Sequence, residues 1–141
     1  MKYILLTLSM FFFLACSDQK GTNGVAKMHW DRDMCSRCVM VISDRKNSVQ
    51  VHMNETNKVY KFDDIGCMVL FADEEKIDIF KDSRILITDV KTGEWIDARA
   101  AFFTSKNTTP MGFGFSAYKS KKDILENESI FSFDEVIKRI N

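Results

Sequence analysis

Apolar and polar residues alternate in two short stretches near the middle of the chain. In residues 49–53 and 58–62, apolar side chains recur at a period of two, which is typical of β-strands that bury one face. The four residues between them, 54–57, are polar and favour a turn. The sequence therefore predicts a β-hairpin.

A helix is predicted directly after this hairpin. Asp63 is suited to cap its N-terminus, although Gly66 in the first turn is a poor helix former. Apolar residues then recur at helical spacing on one face, namely Ile65, Met68, Val69 and Ala72. The first half of the domain is thus expected to have the order strand, strand, helix.

The second half shows a similar order. Residues 84–90 form a β-branched run typical of a buried strand, and residues 91–93 favour a turn. A second short strand pair is predicted in residues 95–103, and a third near residues 113–118.

Two helices are predicted to end the chain. The first is a short helix in residues 119–127, and the second covers residues 133–140, where Ser132 and Glu135 match a capping box. Since strand, strand and helix occur in this order twice, the sequence predicts a small α+β domain made of two ββα-type units.

The first sixteen residues have the pattern of an export signal. Lys2 is followed by about ten apolar residues, too few to span a membrane, and the segment ends in Leu14, Ala15 and Cys16. This ending resembles the bacterial lipoprotein box, which implies a diacylglyceryl group on Cys16. An ordinary secretory signal or an uncleaved anchor is the alternative.

These features divide the chain into three parts. Residues 1–15 are predicted to be a lipoprotein signal peptide, residues 16–27 a lipidated polar tether, and residues 28–141 a folded domain. The total length of 141 residues favours a single compact domain.

Charge and motif content exclude several functions. Lys and Arg together number 20, as do Asp and Glu, so no basic excess favours binding to nucleic acid. No pair of carboxylates, Ser–His arrangement or glycine-rich phosphate loop lies in a suitable context. The sequence therefore predicts a binding protein and not an enzyme.

The cysteines provide the first chemical signal. With Cys16 assigned to lipid, Cys35, Cys38 and Cys67 are left, an odd number that cannot all pair within the chain. Cys35 and Cys38 are three positions apart and can converge on one metal ion. Two alternatives stay open: a zinc-stabilised module that uses these three thiols and His29, and an exported thiol oxidoreductase that uses Cys35 and Cys38.

The methionines favour copper among the metals. Of the six Met after the predicted signal, five adjoin or nearly adjoin a Cys or His, namely Met28, Met34, Met40, Met53 and Met68. Thioether and thiolate are soft ligands, and their combination selects Cu(I). His29 is the better imidazole candidate because it lies near the two spaced cysteines.

Four ordered segments of the chain resemble the NosL family of nitrous-oxide-reductase accessory proteins. They are residues 33–40 (DMCSRCVM), 62–65 (FDDI), 95–98 (WIDA) and 110–112 (PMG), and they follow a lipoprotein signal. The resemblance implies a fold of the treble-clef, organomercurial-lyase-like group. It also implies a Cu(I)-binding, periplasm-facing membrane lipoprotein, in the inner or the outer membrane, that serves copper-site maturation of nitrous oxide reductase.

Carried over by position, the resemblance implies that Cys35, Cys38 and Met40 bind copper, with Met111 from the second unit. His29 is a further candidate for completing the site. The recipient of the copper is either the reductase or its assembly complex. The family usually has Gly where this chain has Val39, and Cys67 matches no position with an assigned role.

Overall fold

The computed structural model describes residues 24–141, which form six strands and two α-helices. The strands are β1 (Val49–Met53), β2 (Val59–Phe62), β3 (Ser83–Thr88), β4 (Trp95–Asp97), β5 (Phe102–Thr104) and β6 (Ser116–Tyr118). The helices are α1 (Ile65–Glu74) and α2 (Phe133–Ile140). The predicted signal peptide and Cys16 lie outside the described residues. The α+β class is confirmed.

Four of the strands form one antiparallel sheet in the order β2-β1-β3-β4. The pairing gives the sheet an inner, apolar face that includes Val49, Val51, Phe62, Ile85 and Ile87, all buried. Strands β5 and β6 pair separately and antiparallel. The predicted hairpin is confirmed as β1–β2, and its register places alternate apolar residues on the buried face.

Helix α1 packs on the inner face of the sheet. The ring of Phe71 lies 5.0 Å from that of Tyr60 and 5.3 Å from that of Phe62, measured between centroids. Seven of its ten residues are buried, which is typical of a helix covered on more than one side. Its N-cap is Asp64, one residue later than predicted: Asp64 has extended backbone and its carboxylate accepts from the N–H of Gly66.

The first described residues cross the outer face of the sheet. The backbone of Ala26 exchanges two hydrogen bonds with the side chain of Gln50, and the carbonyl of Lys27 accepts from Lys61 Nζ. Trp30 then stacks on Trp95, with ring centroids 6.3 Å apart. Residues 24–27, which the sequence assigned to the tether, thus contact the domain.

Two predictions for the second half are wrong. Residues 95–103 do not form a strand pair, because β4 pairs with β3 and β5 pairs with β6, and a 3-10 turn (Ala98–Ala100) separates them. Residues 119–127 contain only a 3-10 turn (Lys121–Asp123) and no α-helix. Its residues are exposed, so no apolar stripe holds a longer helix against the core.

The C-terminal helix matches its prediction. Ser132 and Glu135 form both hydrogen bonds of a capping box. Phe133 lies between the rings of Phe80 and Phe103, and thereby joins α2 to the rest of the core. Within residues 24–141, no helix has the length and apolar character to cross a membrane.

Candidate metal centre

Three thiols and one carboxylate converge beside the N-terminus of α1. One sulfur each from Cys35, Cys38 and Cys67, and one carboxylate oxygen of Asp63, all lie within 4.8 Å of one another. Cys35, Cys67 and Asp63 are buried, with at most 3% of each residue exposed, whereas Cys38 is partly exposed. Among the His, Cys, Asp and Glu residues of the described chain, this is the group arranged to hold a metal ion.

A tight loop brings Cys35 and Cys38 together. The N–H of Val39 donates to the carbonyl of Cys35, and the N–H of Cys35 donates to the carbonyl of Met40. Ser36 attaches the loop to the edge strand β2: its N–H donates to the carbonyl of Lys61, and its hydroxyl accepts from the N–H of Lys61. Both thiols are therefore held against the strand that leads into Asp63 and α1.

The other two donors follow from the junction between β2 and α1. Asp63 is the first residue after β2, and its carboxylate accepts from the thiol of Cys38 at 3.6 Å. Cys67 lies in the first turn of α1, where it faces the loop. The turn from β2 into α1 thus places a carboxylate and a third thiol beside the two loop cysteines.

Arg37 clamps the cysteine loop to the far end of α1. Its guanidinium donates to both carboxylate oxygens of Glu74, with the shortest distance 2.7 Å. This hydrogen bonding raises the pKa of Arg37, which also lies close to the sulfur of Cys67. The cation offsets part of the negative charge that three thiolates around an ion would create.

The three thiols are inequivalent. The thiol of Cys67 donates to the sulfur of Cys35, which lowers the pKa of Cys35 from an ordinary value of 9 to about 6, with additional help from backbone N–H groups. The same hydrogen bond, together with burial, raises the pKa of Cys67. Burial also raises the pKa of Cys38. Near neutral pH, the metal-free cluster is expected to hold one thiolate, on Cys35.

We expect the metal-free protein to gain one thiolate with a midpoint near pH 6. Because the pKa of Cys35 is lowered, its thiolate exists above that pH and is lost by protonation below it. The absorbance of thiolate at 240 nm measures this directly. In Cys67→Ala the donated hydrogen bond is gone, and the midpoint should move up towards 9. A first thiolate that appears only above pH 8 in the wild type would contradict this assignment.

Val39 has a strained backbone. Its φ is +60°, in the left-handed region that β-branched residues rarely adopt, and its side chain is 63% exposed. Gly at this position would adopt the same conformation without strain. The loop therefore holds Val39 in a backbone conformation that valine disfavours.

Val39→Gly is expected to stabilise the fold by about 1 kcal/mol, since a left-handed L-residue costs about 1–2 kcal/mol and little buried surface is lost. Urea unfolding at equilibrium measures the change. Val41→Gly serves as the matched control: Val41 has no positive φ and bridges to Met34, so the variant should lose about 0.5–1 kcal/mol. Equal destabilisation by both variants would show that Val39 is unstrained.

The remaining predicted ligands differ in exposure and in the residues that they contact. Met40 follows Val39 in the loop and is 55% exposed. Met111 is partly buried, and its N–H donates to the carboxylate of Asp64 at 3.1 Å. His29 is exposed, with Nδ1 at 3.5 Å from a carboxylate oxygen of Asp33, and is not part of the four-donor group. Metal binding by Met40, Met111 and His29 stays a prediction.

The sequence did not identify Asp63 or Cys67 as part of a copper site. Asp63 was interpreted as a helix cap, a role that belongs to Asp64. The odd number of cysteines already indicated that Cys67 needs an explanation, and the structure supplies one by placing it against Cys35.

Comparison with known proteins relates both the sequence and the fold to one group. The NosL family model matches residues 27–126. The crystal structure of the copper chaperone NosL from Shewanella denitrificans is similar, with a TM-score of 0.60 and 21% identity, over 79% of this chain and 94% of that chain. At this identity the likeness establishes the fold. No curated protein sequence matches the chain significantly.

Proposed function

This chain belongs to the NosL family, and we propose on that premise that it is a copper chaperone that binds one Cu(I) ion and passes it to another protein. The observation that carries the proposal is the convergence of three cysteine sulfurs beside α1. Thiolates are soft donors and select Cu(I) over harder ions. The related crystal structure is itself of a copper chaperone, which supports the same function.

Cys35, Cys38 and Cys67 are proposed to hold the ion. Cys35 binds first because it is already a thiolate near neutral pH. Cys38 and Cys67 then lose their protons as the ion replaces the hydrogen bonds they donate to Asp63 and Cys35. Asp63 stays close to Cys38 as the acceptor of that proton, since a carboxylate is a hard donor that Cu(I) disfavours.

Delivery requires a site that can open on one side. Cys38 is the partly exposed thiol of the cluster, and Met40 lies exposed two residues further on. A neutral thioether is weaker than a thiolate, so we propose that Met40, with Met111 beside Asp64, receives the ion only transiently during its entry and exit. His29 has the same proposed auxiliary role.

The recipient is proposed to be nitrous oxide reductase or its assembly complex, as the family membership implies. We further propose that the chain is a lipoprotein on the periplasm-facing side of a membrane, anchored through Cys16. The protein binds and transfers metal without catalysing a reaction.

Anaerobic titration of the full chain with Cu(I), against a competing Cu(I) chelator, tests the central proposal. We expect one Cu(I) per chain, bound tightly enough to compete. Zn(II) is titrated in parallel with a zinc-responsive dye. Failure to compete for Cu(I), together with stoichiometric and tight zinc binding, would overturn the proposal. Metal-free protein with a disulfide that cycles reversibly would instead indicate a thiol oxidoreductase.

A zinc-stabilised module is the second candidate, because Asp63 completes a set of four donors. Asp63→Asn separates the two functions. If Cu(I) is the cargo, this variant should keep Cu(I) affinity within about threefold, since the carboxylate is not a preferred ligand. If zinc is the natural ion, removal of a charged ligand should weaken Zn(II) by about 100-fold, and thermal stability should depend on zinc.

Lipidation of Cys16 is tested on protein isolated from a bacterial membrane. Intact-mass spectrometry is expected to show a chain that begins at Cys16 with added diacylglyceryl and acyl groups, because several acyl chains give stable anchoring. Cys16→Ser should abolish both the added mass and the membrane association. A mature chain with unmodified Cys16 would contradict this part of the proposal.

A further inference from the structure

The loop that carries Cys35 and Cys38 also carries exposed apolar side chains. Six large hydrophobic residues of the described chain are exposed, and four of them lie within residues 34–41. We call these four the apolar lip: Met34, Val39, Met40 and Val41. Each is 48–63% exposed, and the backbones of Met34 and Val41 bridge to each other across the loop. Clustered exposed apolar residues mark interaction surfaces, whereas scattered ones do not.

The lip lies next to Cys38, the partly exposed thiol of the cluster. Cys38 is partly exposed and directly precedes Val39, whereas Cys35, Cys67 and Asp63 are buried. Any group that takes the ion from the cluster must therefore approach at Cys38. A protein large enough to carry such a group would cover Val39 and Met40 at the same time.

The charge around the lip selects the chemistry of the partner. Within residues 34–41 the charged side chain is Arg37, which is paired with Glu74, and the flanking segments 31–33 and 44–46 carry charges of both signs. The lip and its flanks therefore carry no large excess of positive charge that would favour phosphates or anionic lipid headgroups. An uncharged, apolar protein surface is complementary to it, because both surfaces gain by leaving water.

The backbone of Val39 supports the same interpretation. An exposed valine in a left-handed conformation is costly to the free protein. Strain of this kind persists where the surrounding structure holds it, and it clusters at functional sites. The exposed side chain of Val39 provides apolar surface that a partner protein can bury.

We propose that the apolar lip is the docking surface for a partner protein that presents a cysteine sulfur from an apolar surface. This deepens the proposed function and rests on it. The partner's sulfur bonds to Cu(I) while the bond between Cu(I) and Cys38 Sγ breaks, and the ion is then shared between the partner's sulfur and the sulfurs of Cys35 and Cys67. The proton that the partner's thiol releases balances the one that Cys38 takes up, with Asp63 as the nearby acceptor. Copper stays Cu(I) throughout, so no electron donor is needed.

The test uses two synthetic peptides as probes, each with one cysteine. One peptide flanks the cysteine with Leu and Phe, and the other flanks it with Ser and Gly. The Cu(I)-loaded full chain is mixed with each peptide anaerobically, and the rate at which the peptide sulfur bonds to the bound copper is measured. We expect the apolar peptide to bond to the copper about tenfold faster than the polar peptide.

The variant Val39→Asn with Val41→Ser removes apolar surface without touching a proposed ligand, and Asn tolerates the left-handed backbone at position 39. In this double variant the tenfold preference should fall to about one, with Cu(I) affinity unchanged. Leu125→Ser is the matched control, since Leu125 is 66% exposed but lies outside the lip. It should keep the preference.

The outcomes separate this proposal from the proposed function. Absence of Cu(I) binding at the loading step defeats the chaperone function itself. The lip is still tested in that case, because binding of the apolar peptide to the metal-free chain is followed by NMR at residues 34–41. Tight Cu(I) binding with no preference for the apolar peptide, or with a preference that survives in the double variant, overturns the docking surface alone.

Discussion

Cys67→Ala is expected to lower the affinity of the protein for Cu(I) by about 100-fold. Loss of groups that merely orient metal ligands already costs about 10–100-fold, and the loss of a ligand lies at or above the upper end of that range. The remaining pair, Cys35 and Cys38, can still bind the ion, so binding is weakened and not abolished. Competition against a Cu(I) chelator measures the change.

A matched control distinguishes loss of a ligand from loss of packing. Val69 is buried in the same helix as Cys67 and carries no donor atom. Val69→Ala should destabilise the fold by about 1–3 kcal/mol yet leave Cu(I) affinity within about twofold. If Cys67→Ala and Val69→Ala affect copper equally, Cys67 is a packing residue and the cluster binds through two thiols.

Gly66→Ala is expected to destabilise the protein by about 2–3 kcal/mol, although alanine is normally the better helix former. A Cβ on residue 66 would lie 2.0 Å from the ring of Phe113, far inside any allowed contact. Either Phe113 leaves its place against the core, or α1 moves and displaces Cys67 with it. Equilibrium unfolding in urea gives the cost, and Cu(I) affinity shows whether Cys67 has moved.

The effect of Gly66→Ala on stability is expected to change sign when Phe113 is also replaced by Ala. Once the ring is gone, the added methyl group has space, and the helix gains up to about 1 kcal/mol from replacement of glycine. Gly66→Ala should therefore destabilise the wild type and stabilise Phe113→Ala. A cost that is the same in both backgrounds would show that the clash with Phe113 is not its cause.

The parts of the fold that were predicted correctly rest on local patterns. The hairpin β1–β2 follows from alternation around a polar turn, and α2 follows from the capping box at Ser132 and Glu135. The strand pair predicted in residues 95–103 is wrong because its two strands do not pair with each other: β4 pairs with the preceding strand β3, and β5 pairs with the following strand β6. Three-residue strands contain too little alternation to specify that choice.

The candidate site was predicted only in part, because only two of its four donors are close together in the sequence. Cys35 and Cys38 are close in sequence, so their convergence was visible without a structure. Cys67 and Asp63 join them only because the cysteine loop attaches to Lys61 on β2, immediately before the chain turns into α1. Similarly, Gly66 is a poor helix former in the sequence of α1, and in the structure it lets Phe113 pack against that helix.

The stacking of Trp30 on Trp95 gives the protein a natural optical reporter. These are the two tryptophans of the chain, and their nearly parallel rings, 14° apart, lie on the outer face of the sheet. Coupled indole transitions in circular dichroism, and tryptophan fluorescence, therefore follow the attachment of residues 24–30. The thiols lie beside α1, which covers the opposite face. Tryptophan signals and thiol reactivity thus report on opposite faces of one sheet. An unfolding midpoint that is lower for the tryptophan signals than for thiol exposure would show that the N-terminal segment detaches before the core opens.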